Sequence, residues 1–121
     1  MPSGRKSRPE VEPKSPKLSL TSGRFFLSIS NIKKNITKKT KAIIPVHIYG
    51  QVCNIDEILD VAKDNNLKVI EDCAHAVGTF HKSKHVGTLG STGCFSFYPT
   101  KNITTAEGGM VITNSKQIAE K

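Results

Sequence analysis

The 121-residue sequence contains no tryptophan, only two methionines and two tyrosines, and its aromatic residues amount to 6%. Hydrophobic residues of all kinds make up 36%, a modest core supply for a free-standing α/β domain. No apolar run approaches the roughly 20 residues that span a bilayer, so no membrane association is expected. The start, MPSGRKSRPE, is basic but leads into no apolar stretch, and no secretory signal is read there. Cysteine is scarce and odd in number: Cys53, Cys73 and Cys94 are widely spaced with no C-x-x-C pair. That argues against a disulfide framework or a zinc knuckle, so no metal site is expected. Reduced thiols in a cytoplasmic protein are the expectation. Gly87, Gly90 and Gly93 do not form a G-x-G-x-x-G turn, which removes a dinucleotide-binding reading.

What is abundant is positive charge, and it is unevenly placed. The net charge is +8, yet residues 1–41 hold eleven Lys and Arg against Glu10 and Glu12, while residues 42–121 hold seven Lys against eight acids. The excess therefore belongs to the N-terminal third. Residues 1–24 are rich in Pro, Ser, Lys and Arg without a usable period and read as a disordered basic tail. Residues 25–41 read as a connecting segment with a single helical turn, and residues 42–121 as the structured part. A basic tail can hold nucleic acid or an anionic surface, but no aromatic residue is interleaved among these charges and no nucleic-acid motif is present. A nucleic-acid partner is not expected.

From Ala42 onward the texture is that of an α/β fold. Ala42–Val46 is a short apolar run readable as a buried strand, with Pro45 marking its end or an irregular position in the ladder. Asn54 with Glu57 three residues on predicts a helix N-terminus. Ile55, Ile58, Leu59 and Ala62 then give one apolar helix face, and Asn65-Asn66 closes it. Lys68–Asp72 reads as a second strand, so a βαβ unit with a parallel pair is expected. Cys94–Phe97 and Met110–Thr113 read as third and fourth strands, with Ser115 capping a further helix.

In open α/β sheets, ligands sit beyond the carboxyl ends of the strands. His47, Asp72 and the segment from Ser96 to Lys101 fall at such ends. The blocks VIEDCAHAVGT (69–79), FSFYPTKN (95–102) and EGG (107–109), in that order and spacing, resemble the DegT/StrS-type sugar aminotransferases, and the resemblance runs from Lys41 to Thr113. It implies that the chain is a fragment of the fold-type-I aminotransferase large domain, with a mixed, mostly parallel sheet and pyridoxal 5'-phosphate (PLP) as cofactor.

The resemblance also implies roles. Lys101 matches the catalytic lysine that binds the cofactor covalently through its amine. That chemistry needs a nitrogen neutral often enough to attack a carbonyl, which burial beside a cationic ring favours. Asp72 matches the acid paired with the pyridinium nitrogen, which keeps the ring an electron sink. Glu71 immediately before it faces the other way on a strand and is expected to be structural. His75 matches a contact to the cofactor's ring or phenolic oxygen, and Ser96 a phosphate-binding hydroxyl. Asn102 is expected at the cofactor, and His47 and Tyr49 along the substrate pocket. The partners implied are a nucleotide-activated keto sugar, glutamate as amino donor and a second copy of the chain, in polysaccharide or glycan biosynthesis. Family members are much longer, with an earlier segment that completes the phosphate cradle and a smaller C-terminal domain. Two alternatives to an active segment follow: an inactive gene fragment of the same family, and a non-enzymatic basic binding module.

Overall fold

The computed structural model describes residues 28–120; the basic tail expected over residues 1–24 lies outside them. In chain order the elements are α1 (Ile29–Asn35), β1 (Ala42–Ile43), α2 (Ile55–Asp64), β2 (Lys68–Asp72), β3 (Phe80–His81), β4 (Lys84–His85), β5 (Thr92–Ser96), β6 (Gly109–Ile112) and α3 (Lys116–Ala119). No helix among the described residues is long and apolar enough to cross a membrane.

Helix α2 forms because its sequence satisfies both its faces and its ends. Ile55, Ile58, Val61 and Ala62 are buried, with Leu59 packed against them. Asp56 and Glu57 occupy its first turn and Lys63 its last, each complementing the helix dipole. The Asn54 side chain makes no cap hydrogen bond; its amide donates instead to the Glu57 carboxylate, a departure from the capping expected. At the other end Asn66 adopts φ 53°. Its N–H reaches the Lys63 carbonyl at 3.2 Å, and the Leu67 N–H reaches that of Ala62 at 2.8 Å, a Schellman closure with asparagine in the left-handed position.

The main sheet has the order β1-β2-β5-β6. β1 pairs parallel with β2, β2 parallel with β5, and β5 antiparallel with β6, which makes it mixed and mostly parallel. β1 is shorter than the apolar run suggests. Proline has no N–H for the ladder, so the regular strand stops before Pro45, although the Pro45 carbonyl still accepts from Asp72 N at 2.9 Å. β2 alternates strictly, with Val69 and Glu71 buried and Ile70 and Asp72 half-buried. Because Glu71 aligns with Gly93 and Asp72 with Cys94, the strand period puts Val69, Glu71, Gly93 and Phe95 on one face and Asp72, Cys94 and Ser96 on the other. The first face is covered: Val69 joins a cluster with α2 and Ile32 of α1, and Phe95 packs with Cys73, Ala76 and Val86. The small hairpin β3–β4 turns through Lys82 and Ser83 at φ 47° and 65°, both left-handed, as a two-residue hairpin turn requires.

Candidate functional site

The open face of the sheet ends at Asp72 on β2 and Ser96 on β5, with Lys101 in the turn that follows β5, where its N–H closes onto the Tyr98 carbonyl at 2.9 Å. The Asp72 main chain is gripped from both sides, its N–H by Pro45 and its carbonyl by His47 N at 3.0 Å. Its Oδ1 accepts from Ala74 N at 3.0 Å, which fixes the carboxylate and leaves the second oxygen open. Three residues on, His75 Nε2 lies 3.0 Å from Lys101 Nζ. The turns after β2 and β5 thus bring two of the expected site residues into direct contact, with Asp72 at the base of the first turn.

Tyr49 is the most exposed large side chain of the region, at 82%, and stands with its ring edge toward His75, centroids 6.3 Å apart. It holds φ 53°, a left-handed conformation that costs a bulky residue about 1–2 kcal/mol. The turn is secured by Gly50 N donating to the His75 carbonyl at 2.9 Å and by Thr79 Oγ1 donating to the Gly50 carbonyl at 3.3 Å. Ser96 is half-buried, its Oγ 3.5 Å from Tyr98 N. Asn102 is exposed on the turn beside Lys101.

His47 is not where the sequence suggests. It is fully buried, on the covered side, with both ring nitrogens committed to the chain. Its Nδ1 accepts from Cys53 N at 3.3 Å, so its proton sits on Nε2, which donates to Glu71 Oε2 at 3.0 Å. The expectation of a substrate-lining His47 is therefore corrected: a ring enclosed and doubly bonded by the chain is a structural histidine.

Glu71 is the group that sequence reasoning undervalued. Fully buried, its carboxylate accepts four hydrogen bonds: from His47 and from Gly87 N at 2.7 Å on Oε2, and from Leu89 N at 2.8 Å and Gly90 N at 2.6 Å on Oε1. Burial alone pushes this carboxyl up, but the His47 and backbone donors outweigh it and hold it below its ordinary value. Cys73 brings a third donor atom within 4.8 Å of His47 and Glu71. Burial, then the Glu71 charge, pushes its thiol up to about 12, and the Glu71 oxygens are already occupied, so the cluster reads as a hydrogen-bonded core rather than a metal centre. Cys53 is likewise pushed up to about 11 by burial and then by Glu71, and neither thiol is a nucleophile at neutral pH.

Residues 20–121 match the DegT/DnrJ/EryC1/StrS aminotransferase family, the match beginning inside the span read as a disordered basic tail. Among curated relatives, an uncharacterized protein of Methanocaldococcus jannaschii is 57% identical over 97 residues, 80% of this chain and 25% of that one. GDP-perosamine synthase of Escherichia coli O157:H7 is 52% identical over 95 residues, 78% of this chain and 26% of that one. The chain thus spans about a quarter of the length of the curated relatives it matches. Among solved structures, an aminotransferase from Psychrobacter cryohalolentis superposes with TM-score 0.73 at 44% identity, over 76% of this chain and 24% of that one. A Helicobacter pylori aminotransferase of pseudoaminic acid biosynthesis gives 0.74 at 33%, over 79% and 26%. An E. coli GDP-4-keto-6-deoxy-D-mannose-3-dehydratase with bound hydrated PLP gives 0.68 at 33%, over 76% and 24%.

Proposed function

Because the chain belongs to the DegT/DnrJ/EryC1/StrS aminotransferase family, we propose that it is the cofactor-anchoring segment of a PLP enzyme that moves an amino group onto the keto group of a nucleotide-activated sugar. Its sheet is part of a fold-type-I large domain. The observation that carries the reading is the convergence at the carboxyl ends of two adjacent parallel strands: a carboxylate with one free oxygen at Asp72 and an amine at Lys101 in contact with His75.

This donor set suits PLP. When bound, the cofactor supplies an aldehyde for covalent attachment and a protonated ring that withdraws electrons from the reacting carbon. Lys101 offers the amine for the first, and its Nζ then holds the proton that moves at the reacting carbon. Asp72 offers the carboxylate for the ring nitrogen, Ser96 a hydroxyl for the phosphate, and Asn102 a flanking amide. Tyr49, exposed above His75, is the substrate-side contact. Glutamate as donor, a homodimer and a cytoplasmic setting complete the proposal and rest on the family resemblance.

The test is direct. Purified chain mixed with PLP is expected to develop an absorbance band in the visible–near-ultraviolet region, and borohydride trapping followed by peptide mass spectrometry is expected to find the pyridoxyl group on Lys101. In Lys101→Ala the band and the adduct are expected to disappear. Asp72→Asn is expected to weaken retention of the cofactor by about tenfold, the scale of one charge-assisted hydrogen bond. Pyridoxyl groups scattered over the surface lysines would sink the reading.

A further inference from the structure

Resting on the reading of Lys101 as the cofactor-binding amine, we propose that His75 is a further catalytic residue: its Nε2 takes the proton that Lys101 must shed before its nitrogen can attack a carbonyl carbon. This differs from the contact to the cofactor ring that the family resemblance implies for position 75.

The geometry is specific. Lys101 Nζ lies 3.0 Å from His75 Nε2, and among the described residues no carboxylate lies within ion-pair distance of it. The distinction matters chemically. A carboxylate partner would hold the ammonium and keep it charged. An imidazole accepts a proton near neutral pH and gives it back. An ammonium donating to Nε2 fixes the histidine tautomer with its hydrogen on Nδ1. In the transfer, one N–H bond breaks at Nζ and one forms at Nε2. The electron pair stays on Nζ as the nucleophile, and the positive charge moves onto the ring. Nothing else is consumed.

The base is also held in place. The His75 carbonyl is fixed by Gly50 N at 2.9 Å, and its ring meets the Tyr49 edge at an interplanar angle of 63°. The left-handed Tyr49 backbone is a strained feature of the kind found where a side chain must be aimed. The titratable groups around the imidazole are Lys101 from the turn after β5, Tyr49 from the segment after β1, and Asp72 at the start of its own turn. His75 itself is exposed, so the charge it gains is solvated.

Competitive acylation tests this without the cofactor. The full chain is treated with trace acetic anhydride between pH 6 and 10, and the extent at each lysine is read by mass spectrometry, with exposed Lys63 and Lys68 as internal references. Lys101 is expected to react about a hundredfold faster than the references at pH 7, the lower end of what a positioned base contributes. His75→Gln keeps an acceptor but cannot take the proton, and is expected to bring the Lys101 profile onto that of the references. Circular dichroism is expected to be unchanged, since position 75 is exposed. A Lys101 profile identical in wild type and His75→Gln overturns the proposal. The PLP-trapping experiment separates the two claims. Selective pyridoxylation of Lys101 in both proteins with superimposable acylation profiles leaves the cofactor reading intact and removes the role of His75. Unselective pyridoxylation of the wild type removes the cofactor reading and, with it, this one.

Discussion

Glu71→Ala is expected to destabilise the chain by about 4 kcal/mol, on the scale of removing one partner from a buried charged network. The substitution deletes the acceptor of four buried donors, His47 Nε2–H and the N–H groups of Gly87, Leu89 and Gly90. Each orphaned donor costs about 1–3 kcal/mol when water cannot replace the acceptor. A domain's whole stability is only about 5–15 kcal/mol, so urea unfolding followed by circular dichroism should show a midpoint displaced toward zero denaturant or no folded baseline. Glu71→Gln keeps one acceptor oxygen but turns an NH2 toward N–H donors, and should lie between. Asp60→Ala, on the exposed side of α2, should stay within about 0.5 kcal/mol of wild type. A cost below about 1 kcal/mol for Glu71→Ala would refute the network as described.

The same network sets a pH dependence. The folded-state value of Glu71 is depressed below 4.5, so its stabilising contribution is fully present above that pH and is lost as pH falls through the lower folded value. Acid unfolding of the wild type should steepen in that window, and the Glu71→Gln variant, which has no proton to gain there, should show a shallower slope.

Parts of this architecture were legible in the sequence and parts were not, for identifiable reasons. Helix α2 was legible because its apolar positions repeat at the helical period and Asn65-Asn66 follows them as a stop. β2 was legible as a strand, and the opposed faces of Glu71 and Asp72 followed from strand geometry. The roles proposed for Lys101 and Asp72 rest on the resemblance; composition and spacing said only that polar groups gather at strand ends. The hairpin β3–β4 was missed because Lys82 and Ser83 carry none of the Gly or Asn signal of a left-handed turn. His47 was misplaced because a single histidine after an apolar run looks the same whether it faces a cleft or a buried carboxylate; only the partner at Glu71, 24 positions away, decides. The partnership of His75 with Lys101 depends likewise on two turns 26 positions apart.

The three glycines that fit no phosphate-binding pattern have a tertiary explanation, and it yields the second large prediction. Gly93→Ala is expected to cost about 3 kcal/mol or more, the upper range for overpacking. A Cβ at position 93 would run into the main chain of Gly87, 2.6 Å from its carbonyl oxygen. Backbone cannot rotate aside as a side-chain tip can, so the whole segment from Val86 to Gly90 would have to lift off β5. Lifting it pulls Gly87 N away from Glu71, where it donates at 2.7 Å, so steric and hydrogen-bond losses fall on the same segment. Gly78→Ala is the matched control: Gly78 has φ +76° but no atom within 4 Å of an added Cβ, so it reports backbone strain alone, about 1 kcal/mol. Combining Gly93→Ala with Glu71→Ala should cost less than the two separately, by about 1–3 kcal/mol, since a segment already released by one change has less to lose from the other. A Gly93→Ala cost no larger than that of Gly78→Ala would mean that the segment does not cross β5 in backbone contact. Strict additivity in the double variant would mean that Glu71 does not hold it there.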